Sequence, residues 1–475
     1  VERKVVNLVI GWVVILPWLI GGRFWWVQAL SVALGAVALY FALRPAANRR
    51  SLWRFPIFWL GLLFLLFVAC QSFNYWGIAT QRHAKGEPIN VWDVSAHPHL
   101  DWLPSGISAD FTQMSSARML VYWAGPWLLA CAWWAAVRQR RSGRRLNLAV
   151  FLNAVVMAVV VFIEHLHPPA KIMGVFVDTT LSPDLFRQIT SSAGFSYHSH
   201  AAAYLYLSLG AGFAVVARLL GRAQGASRDN GLAWVALLGC LIMLACFFIL
   251  GSRAGLVIGC ALFLLDFGVL LVASFAGGGR APGLWVGGLI LMAALGGLAL
   301  FEFQSGNSAT LERWKYLNDH PGDLDTRQIL RSEARRMMDP AHYWMGWGAG
   351  SFRYILRDYL YSDDLFQNST AYGGTTIWTD NVHCDWLQFP LEYGVIGASL
   401  LAAMLLYGYG MVLWHLRYLG AAGFVVLLSV SAMLAHALID FPFFNAAVFT
   451  LFALLAAANL KTMLLSARRA TQKAS

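Results

Sequence analysis

Charge is scarce in this chain. Only 12% of its 475 residues are Asp, Glu, Lys or Arg, against roughly 25% in a soluble globular domain. With 59% hydrophobic residues and a mean hydropathy of +0.58, there is too little polar surface to wrap a soluble fold, and a polytopic membrane protein is what remains. Cysteine is also sparse. Five of the six (Cys70, Cys131, Cys240, Cys246 and Cys260) fall inside apolar runs and only Cys384 lies near a polar segment, so neither a disulfide framework nor a Cys-rich metal site is expected. Low-complexity tracts and solenoid repeats are missing. So is the inverted duplication of broken spans that many transporters show.

What the chain does have is long apolar runs. Twelve spans are expected, at roughly 5–20, 24–43, 56–73, 117–137, 146–163, 198–217, 231–250, 254–275, 283–301, 386–413, 420–438 and 443–460. The first two, joined by Gly21-Gly22-Arg23, read as a retained helical hairpin. The fold class is therefore all-α, a single integral-membrane domain over 1–475. The net charge of +11 does not point to nucleic acid. Twenty of the 35 basic residues sit in short alternate loops and tails, and eight of the rest lie in one long segment. By the positive-inside rule both termini are cytoplasmic. Three long outward segments, 74–116, 164–197 and 302–382, are then periplasmic.

The most informative stretch is Asn381-Val-His-Cys-Asp-Trp-Leu-Gln-Phe-Pro-Leu-Glu-Tyr-Gly-Val-Ile-Gly397. It places His383, Asp385 and Glu392 where the longest polar segment runs into a span. A neutral imidazole there suits taking a proton from a sugar hydroxyl near neutral pH; a purely structural histidine is the competing reading. Upstream, Arg327, Arg331 and Arg335 recur at helical spacing, which stacks guanidinium groups along one face. The stripe could bind an anion or pair with the eleven acids of its own segment. Gly346-Trp-Gly-Ala-Gly350 breaks that helix, and Arg353 and Arg357 form a second pair.

Other groups invite chemistry. Gly251-Ser252-Arg253-Ala-Gly255 puts an arginine at headgroup depth between two spans, where it needs an anion or snorkels to lipid. Phe195-Ser-Tyr-His198-Ser-His200 leads into a span. Its histidine pair, like His97/His99 and His165/His167, resembles metal ligands only if the backbone is extended, and an aromatic rim around a sugar is the better reading. Asp323-Leu-Asp325 reads as a turn or helix cap. His436 and Asp440, four residues apart, can bond along a helix as support or as an anchor.

Together these motifs resemble the O-antigen ligase and O-antigen polymerase family. The carriers are His383-Cys384, nine residues, then Gly394-Val-Ile-Gly397; Ser252-Arg253-Ala-Gly255; Thr326-Arg327; and Gly346-Trp-Gly-Ala-Gly-Ser-Phe352, in the family's order over 187–445. Cys384 departs from the Asn usual there, so the hydrogen bond of that Asn must be weakened or supplied elsewhere. The resemblance implies an inverting GT-C glycosyltransferase of the bacterial inner membrane with a periplasmic site, no bound metal and no cofactor. Its donor would be a glycan on undecaprenyl pyrophosphate. Its acceptor would be a glycan or glycolipid resembling lipid A–core in a ligase, or a second lipid-linked unit in a polymerase. His383 would be the general base. Arg253, Arg327, Arg331 and Arg335 would hold the pyrophosphate, with Ser252, Asp385, Glu392, His198, His200, Arg187, His436 and Asp440 in support. A transporter of lipid-linked glycan is the alternative from another class, and it predicts ionisable groups at mid-membrane depth; Asp266 is the main one here.

Overall fold

The computed structural model describes residues 1–82, 91–167, 192–221, 227–276, 293, 296–297, 322–360 and 379–474. Arg187, most of 164–197, the start of 302–382 and nearly all of the expected span 283–301 lie outside them. Among the described residues nine helices are long and apolar enough to cross a membrane, so this is a multi-pass membrane protein in architecture. The long helices are α2 (Trp25–Leu43), α4 (Pro56–Phe73), α5 (Ser116–Ala136), α6 (Arg140–Leu166), α7 (His198–Leu220), α8 (Ser227–Ile249), α9 (Arg253–Ala276), α12 (Asp385–Trp414) and α14 (Ala446–Ala474). The runs expected at 5–20 and 420–438 form shorter helices, α1 (Glu2–Ile15) and α13 (Gly420–His436). Short helices α3 (Ala46–Trp53), α10 (Gly322–Arg336) and α11 (Phe352–Leu360) complete the set.

An all-α reading needs one correction. Part of 74–116 is a sheet: β1 (Tyr75–Arg82) pairs antiparallel with β2 (Val91–Ala96) and parallel with β3 (Gly106–Ser108), in the order β2-β1-β3. Trp92 and Ile107, aromatic and β-branched side chains that suit a half-buried pleat, are buried with the small Ala79 against Tyr354 of α11.

Helix α7 is the centre of the bundle. It is apolar or small on every side, as a fully surrounded helix must be, and every residue from Ser199 to Ala214 is buried. Small residues let neighbours approach it closely. A Cβ on Gly210 would lie 2.1 Å from Ser429 Oγ of α13, and one on Gly212 would lie 2.7 Å from the Phe151 ring of α6.

Direction follows from contacts at the two ends. Glu2 accepts from Ser142 Oγ (2.7 Å) and Arg140 donates to Ser466 Oγ (3.2 Å), so the starts of α1 and α6 meet the later turns of α14. At the opposite end Arg118 reaches the Arg23 carbonyl (2.7 Å), and the first turns of α7 and α12 lie there with His383. Exposed Trp25, Trp26, Phe73 and Trp344 ring this second end, and Tyr40, Trp53 and Trp414 the first, the pair of aromatic girdles expected at two membrane surfaces.

One device braces the His383 end. Pro390 and Gly394 interrupt α12, and Gly394 has φ 59° and ψ −173°, a region open essentially to glycine alone. The carbonyls of Leu391 and Glu392 leave the helix ladder and accept from Trp347 N (3.0 Å) and Gly348 N (2.9 Å). In return the N–H groups of Val395 and Ile396 donate to the carbonyls of Tyr343 and Trp344 at 3.0 and 3.1 Å. The two glycine motifs of the sequence are thus one backbone clamp. A Cβ on Gly394 would sit 2.3 Å from the Trp344 oxygen. Gly394→Ala should therefore destabilise the protein by about 1–3 kcal/mol from backbone strain alone, read as a lowered thermal midpoint of the purified protein in detergent; an unchanged midpoint would contradict the clamp.

Candidate functional site

His383 adopts φ 56°, the left-handed region that non-glycine residues occupy only when their surroundings hold them. The holding contacts are visible. Arg331 Nη2 donates to the His383 carbonyl (3.2 Å). Asp385 N, two residues on, donates to the carbonyls of Ala437 (2.9 Å) and Asp440 (3.3 Å). Cys384 is the N-cap of α12 and its side chain makes no capping bond. The carbonyls of Ala437 and Asp440 thus take up an N–H at this helix start.

The turn aims the imidazole at Asp440. His383 Nδ1 lies 3.2 Å from Asp440 Oδ1. Asp440 is buried, and its other oxygen accepts from Ser199 Oγ (2.6 Å) and Tyr197 OH (3.3 Å). Arg327 Nη2 stands 4.0 Å from that oxygen, while Nη1 donates to the Ile439 carbonyl (3.2 Å). Burial alone would raise the Asp440 pKa, but the hydrogen bond from His383 and the Arg327 charge lower it, and protonation of His383 or His436 lowers it further, so that it falls well below the ordinary carboxylate value. Asp440 is therefore an ionised acceptor, and the proton between the pair belongs on His383 Nδ1. A neutral His383 then carries its lone pair on Nε2, the form a general base needs.

The support continues inward. Ser199 gives its single proton to Asp440, so it accepts from His436 Nε2 (3.2 Å), and His436 Nδ1 accepts from Tyr206 OH (3.1 Å). Every proton has a place in this buried chain, which is what makes such a network rigid. Ser252 Oγ lies 3.5 Å from Ser199 Oγ and also accepts from Gly255 N (3.1 Å). It caps α9, whose first residue is Arg253, and so places that arginine one residue from the network.

His383, Asp440, His436, Arg327, Arg331 and Ser252 thus lie together. Others take different places. His198 and His200 open a helix and both pack on Tyr197, and His200 Nε2 also contacts the Phe441 carbonyl (3.2 Å), so they serve an aromatic cluster. Among the described residues no group of three or more His, Cys, Asp or Glu gathers as a metal site would need. Asp385 does not orient His383; its Oδ2 accepts from Phe443 N (3.0 Å). Glu392 belongs to the clamp, accepting from Gly350 N (2.9 Å) and Gln388 Nε2 (2.9 Å). Arg335 is exposed and, among the described residues, makes no contact with the His383–Asp440 pair. Arg187 and the side chains of Asp323 and Asp325 lie outside the described residues.

Three participants went unnoticed in the sequence. Tyr197 and Ser199 flank the more conspicuous histidines. Gln71, at the end of α4, donates to the Glu392 carbonyl (3.1 Å) and accepts from Ala349 N (3.1 Å). A buried glutamine in an apolar run was a usable signal, because it needs partners.

On the membrane side of the site an apolar cavity of about 380 Å³ runs between α4, α5, α12, α13 and α14, from Trp386, Phe389 and Phe443 down to Val412 and Leu460. No protein-family model matches the chain, and no curated protein matches it significantly.

The depressed Asp440 value fixes a sign. A carboxylate lowered in the folded state adds stability above its unfolded pKa of about 4 and loses it as pH falls through the folded value. Asp440→Asn should therefore lower the thermal midpoint at neutral pH, and the gap to wild type should narrow below about pH 4. A gap independent of pH would remove the ionised form from the account.

Proposed function

We propose that this chain is an integral-membrane glycosyltransferase that moves a glycan from undecaprenyl pyrophosphate to an acceptor hydroxyl, resembling O-antigen ligases. The observation that carries the reading is the His383–Asp440 pair, set beside Arg327 and Arg331 where α12 and α7 begin. Nearby charge is in cationic surplus: two guanidinium groups flank one ionised carboxylate, and Arg331 Nε is buried without an acceptor among the described residues. Such a setting favours an anionic leaving group. The apolar cavity below suits a polyprenyl chain, and the surrounding aromatic residues suit sugar faces.

In this mechanism the acceptor hydroxyl gives its proton to His383 Nε2 as its oxygen forms a bond to the anomeric carbon. The bond from that carbon to the phosphate oxygen breaks, and its electron pair leaves with the lipid diphosphate. Attack opposite the leaving group inverts the carbon. Asp440 fixes the tautomer and steadies the imidazolium that forms. Arg327, Arg331 and Arg253 meet the diphosphate charge. The site then lies on the periplasmic face of a bacterial inner membrane, with both ends of the chain cytoplasmic.

The test is incubation of purified protein with an undecaprenyl-linked glycan and candidate acceptors. A single capped glycolipid marks a ligase, and a ladder of lipid-linked repeats marks a polymerase. His383→Ala should lower transfer by about 10²–10⁴-fold while the variant keeps the wild-type gel-filtration profile; undiminished transfer would end the proposal. Arg253→Ala should raise the donor KM more than the acceptor KM, and equal shifts would argue against contact with the diphosphate. Transfer should survive EDTA, since the steps above use no metal.

A further inference from the structure

A second cavity, of about 250 Å³, opens at the end of the bundle opposite His383. Its walls come from four segments: the first turns of α6, the last turn of α7, the start of α13 and the later turns of α14. Arg140, Arg144 and Arg218 line it together with Asn147, Asn459 and Ser466, and no carboxylate does so among the described residues. Glu2, the acid that touches this part of α6, turns elsewhere, accepting from Gln139 N (3.2 Å) and Ser142 Oγ (2.7 Å).

The lining is built rather than incidental. Gly143 lets α6 approach α14 so closely that a Cβ there would stand 2.7 Å from Thr462 Oγ1. Arg140 is held by its bond to Ser466 Oγ (3.2 Å), and its Nε is buried with no acceptor among the described residues. Asn147, with its amide turned to donate to the Gly143 carbonyl, accepts from Arg218 Nη2 at 3.2 Å. The hydroxyl of Thr462 is committed to the Ala458 carbonyl (2.7 Å) and the Asn459 amide to the Gly423 carbonyl (2.9 Å). The charged side chains that line the cavity are all cationic among the described residues. Helices α6 and α13 both start at the cavity and add the positive ends of their dipoles.

Beside it the surface is apolar. Leu413, Trp414 and Leu416, just before α13, are exposed, and Leu419, Val426 and Met463 line the cavity itself. A guest with an anionic head and hydrocarbon tails would satisfy both halves. Basic pockets between helix ends at a membrane surface bind phospholipid headgroups on this principle. We propose that this cavity holds the phosphodiester of an anionic phospholipid, with phosphate between Arg140 and Arg218 and acyl chains along the rim at Leu413–Leu416. Such a site is independent of the chemistry at His383.

The test compares purified wild type, Arg140→Gln/Arg218→Gln, Arg140→Lys/Arg218→Lys and Arg417→Gln in nanodiscs of phosphatidylcholine with and without phosphatidylglycerol. Arg417 stacks on Tyr418 at the same end but does not line the cavity. Phosphatidylglycerol should raise the thermal midpoint of wild type and of Arg417→Gln. The glutamine pair should lose that increment, and in native mass spectrometry its retention of phosphatidylglycerol should fall by about tenfold, as removal of charge-assisted bonds implies. The lysine pair should keep part of the increment, showing that loss of charge and not of fold is responsible. Equal lipid response in wild type and the glutamine pair would overturn the site. So would loss of the response in Arg417→Gln, which would mark a diffuse surface attraction, or full stabilisation by inorganic phosphate in phosphatidylcholine discs, which would mark a soluble anion as the guest.

Discussion

A single buried carboxylate organises the candidate site. Removing Asp440 from water would be strongly unfavourable without compensation. Compensation comes from the His383 imidazole, two hydroxyls and the Arg327 charge. Those partners come from three places in the chain, the turn before α12, the start of α7 and helix α10, and meet Asp440 in the α13–α14 connection. Because each is needed to satisfy one ion, the carboxylate fixes the placement of all three relative to its own segment. An apolar residue in its place would leave Ser199, Tyr197 and the His383 ring without a common acceptor.

The glycine clamp does the complementary work. A carboxylate can orient an imidazole only if the backbone beneath it stays put, and His383 sits in a strained conformation at the mouth of a helix. The exchange of backbone bonds between 343–348 and 391–396 ties α12 to the segment that follows α10. The same α10 supplies Arg327 and Arg331. One rigid unit therefore holds both the base and the cations. Gln71 extends it to α4 through the Glu392 and Met345 carbonyls. Glu392, acidic and close to His383 in sequence, serves this brace and not proton transfer.

Much of the site was legible because its parts are local motifs. His383 stands at a polar–apolar boundary, and Arg327 and Arg331 follow helical spacing. Arg335 did not follow, for a geometric reason: eight residues carry a side chain about 80° round the helix from Arg327, enough to turn it to solvent. The partner of His383 was harder to find. Sequence proximity favoured Asp385, yet Asp385 opens α12 and faces Phe443, while Asp440 reaches back across 57 residues. His198 and His200 could act as a metal pair only on an extended backbone, and they open a helix instead, where residues two apart face different ways. The sheet at 75–108 escaped notice because each strand is short and its partners lie outside its own window. The apolar spans, by contrast, needed nothing beyond composition.

The broken helix also bears on a transport reading. In transporters, an interruption leaves carbonyls and helix ends facing a cavity, where they coordinate cargo near the membrane midplane. Here α12 breaks only nine residues from its start, toward the His383 end, and the carbonyls released at Leu391 and Glu392 are consumed by Trp347 and Gly348. The interruption therefore stiffens one end of the bundle, and those two carbonyls are not left facing a cavity. The described buried acid at mid-helix depth, Asp266, lies in α9 beside Cys240 with neither oxygen bonded among the described residues. A relay needs a chain of exchangeable partners, and among the described groups that chain runs from Tyr206 through His436 and Ser199 to Asp440. It ends at an imidazole one-fifth exposed. Among the described groups, polar continuity thus ends at His383, at one surface of the bundle.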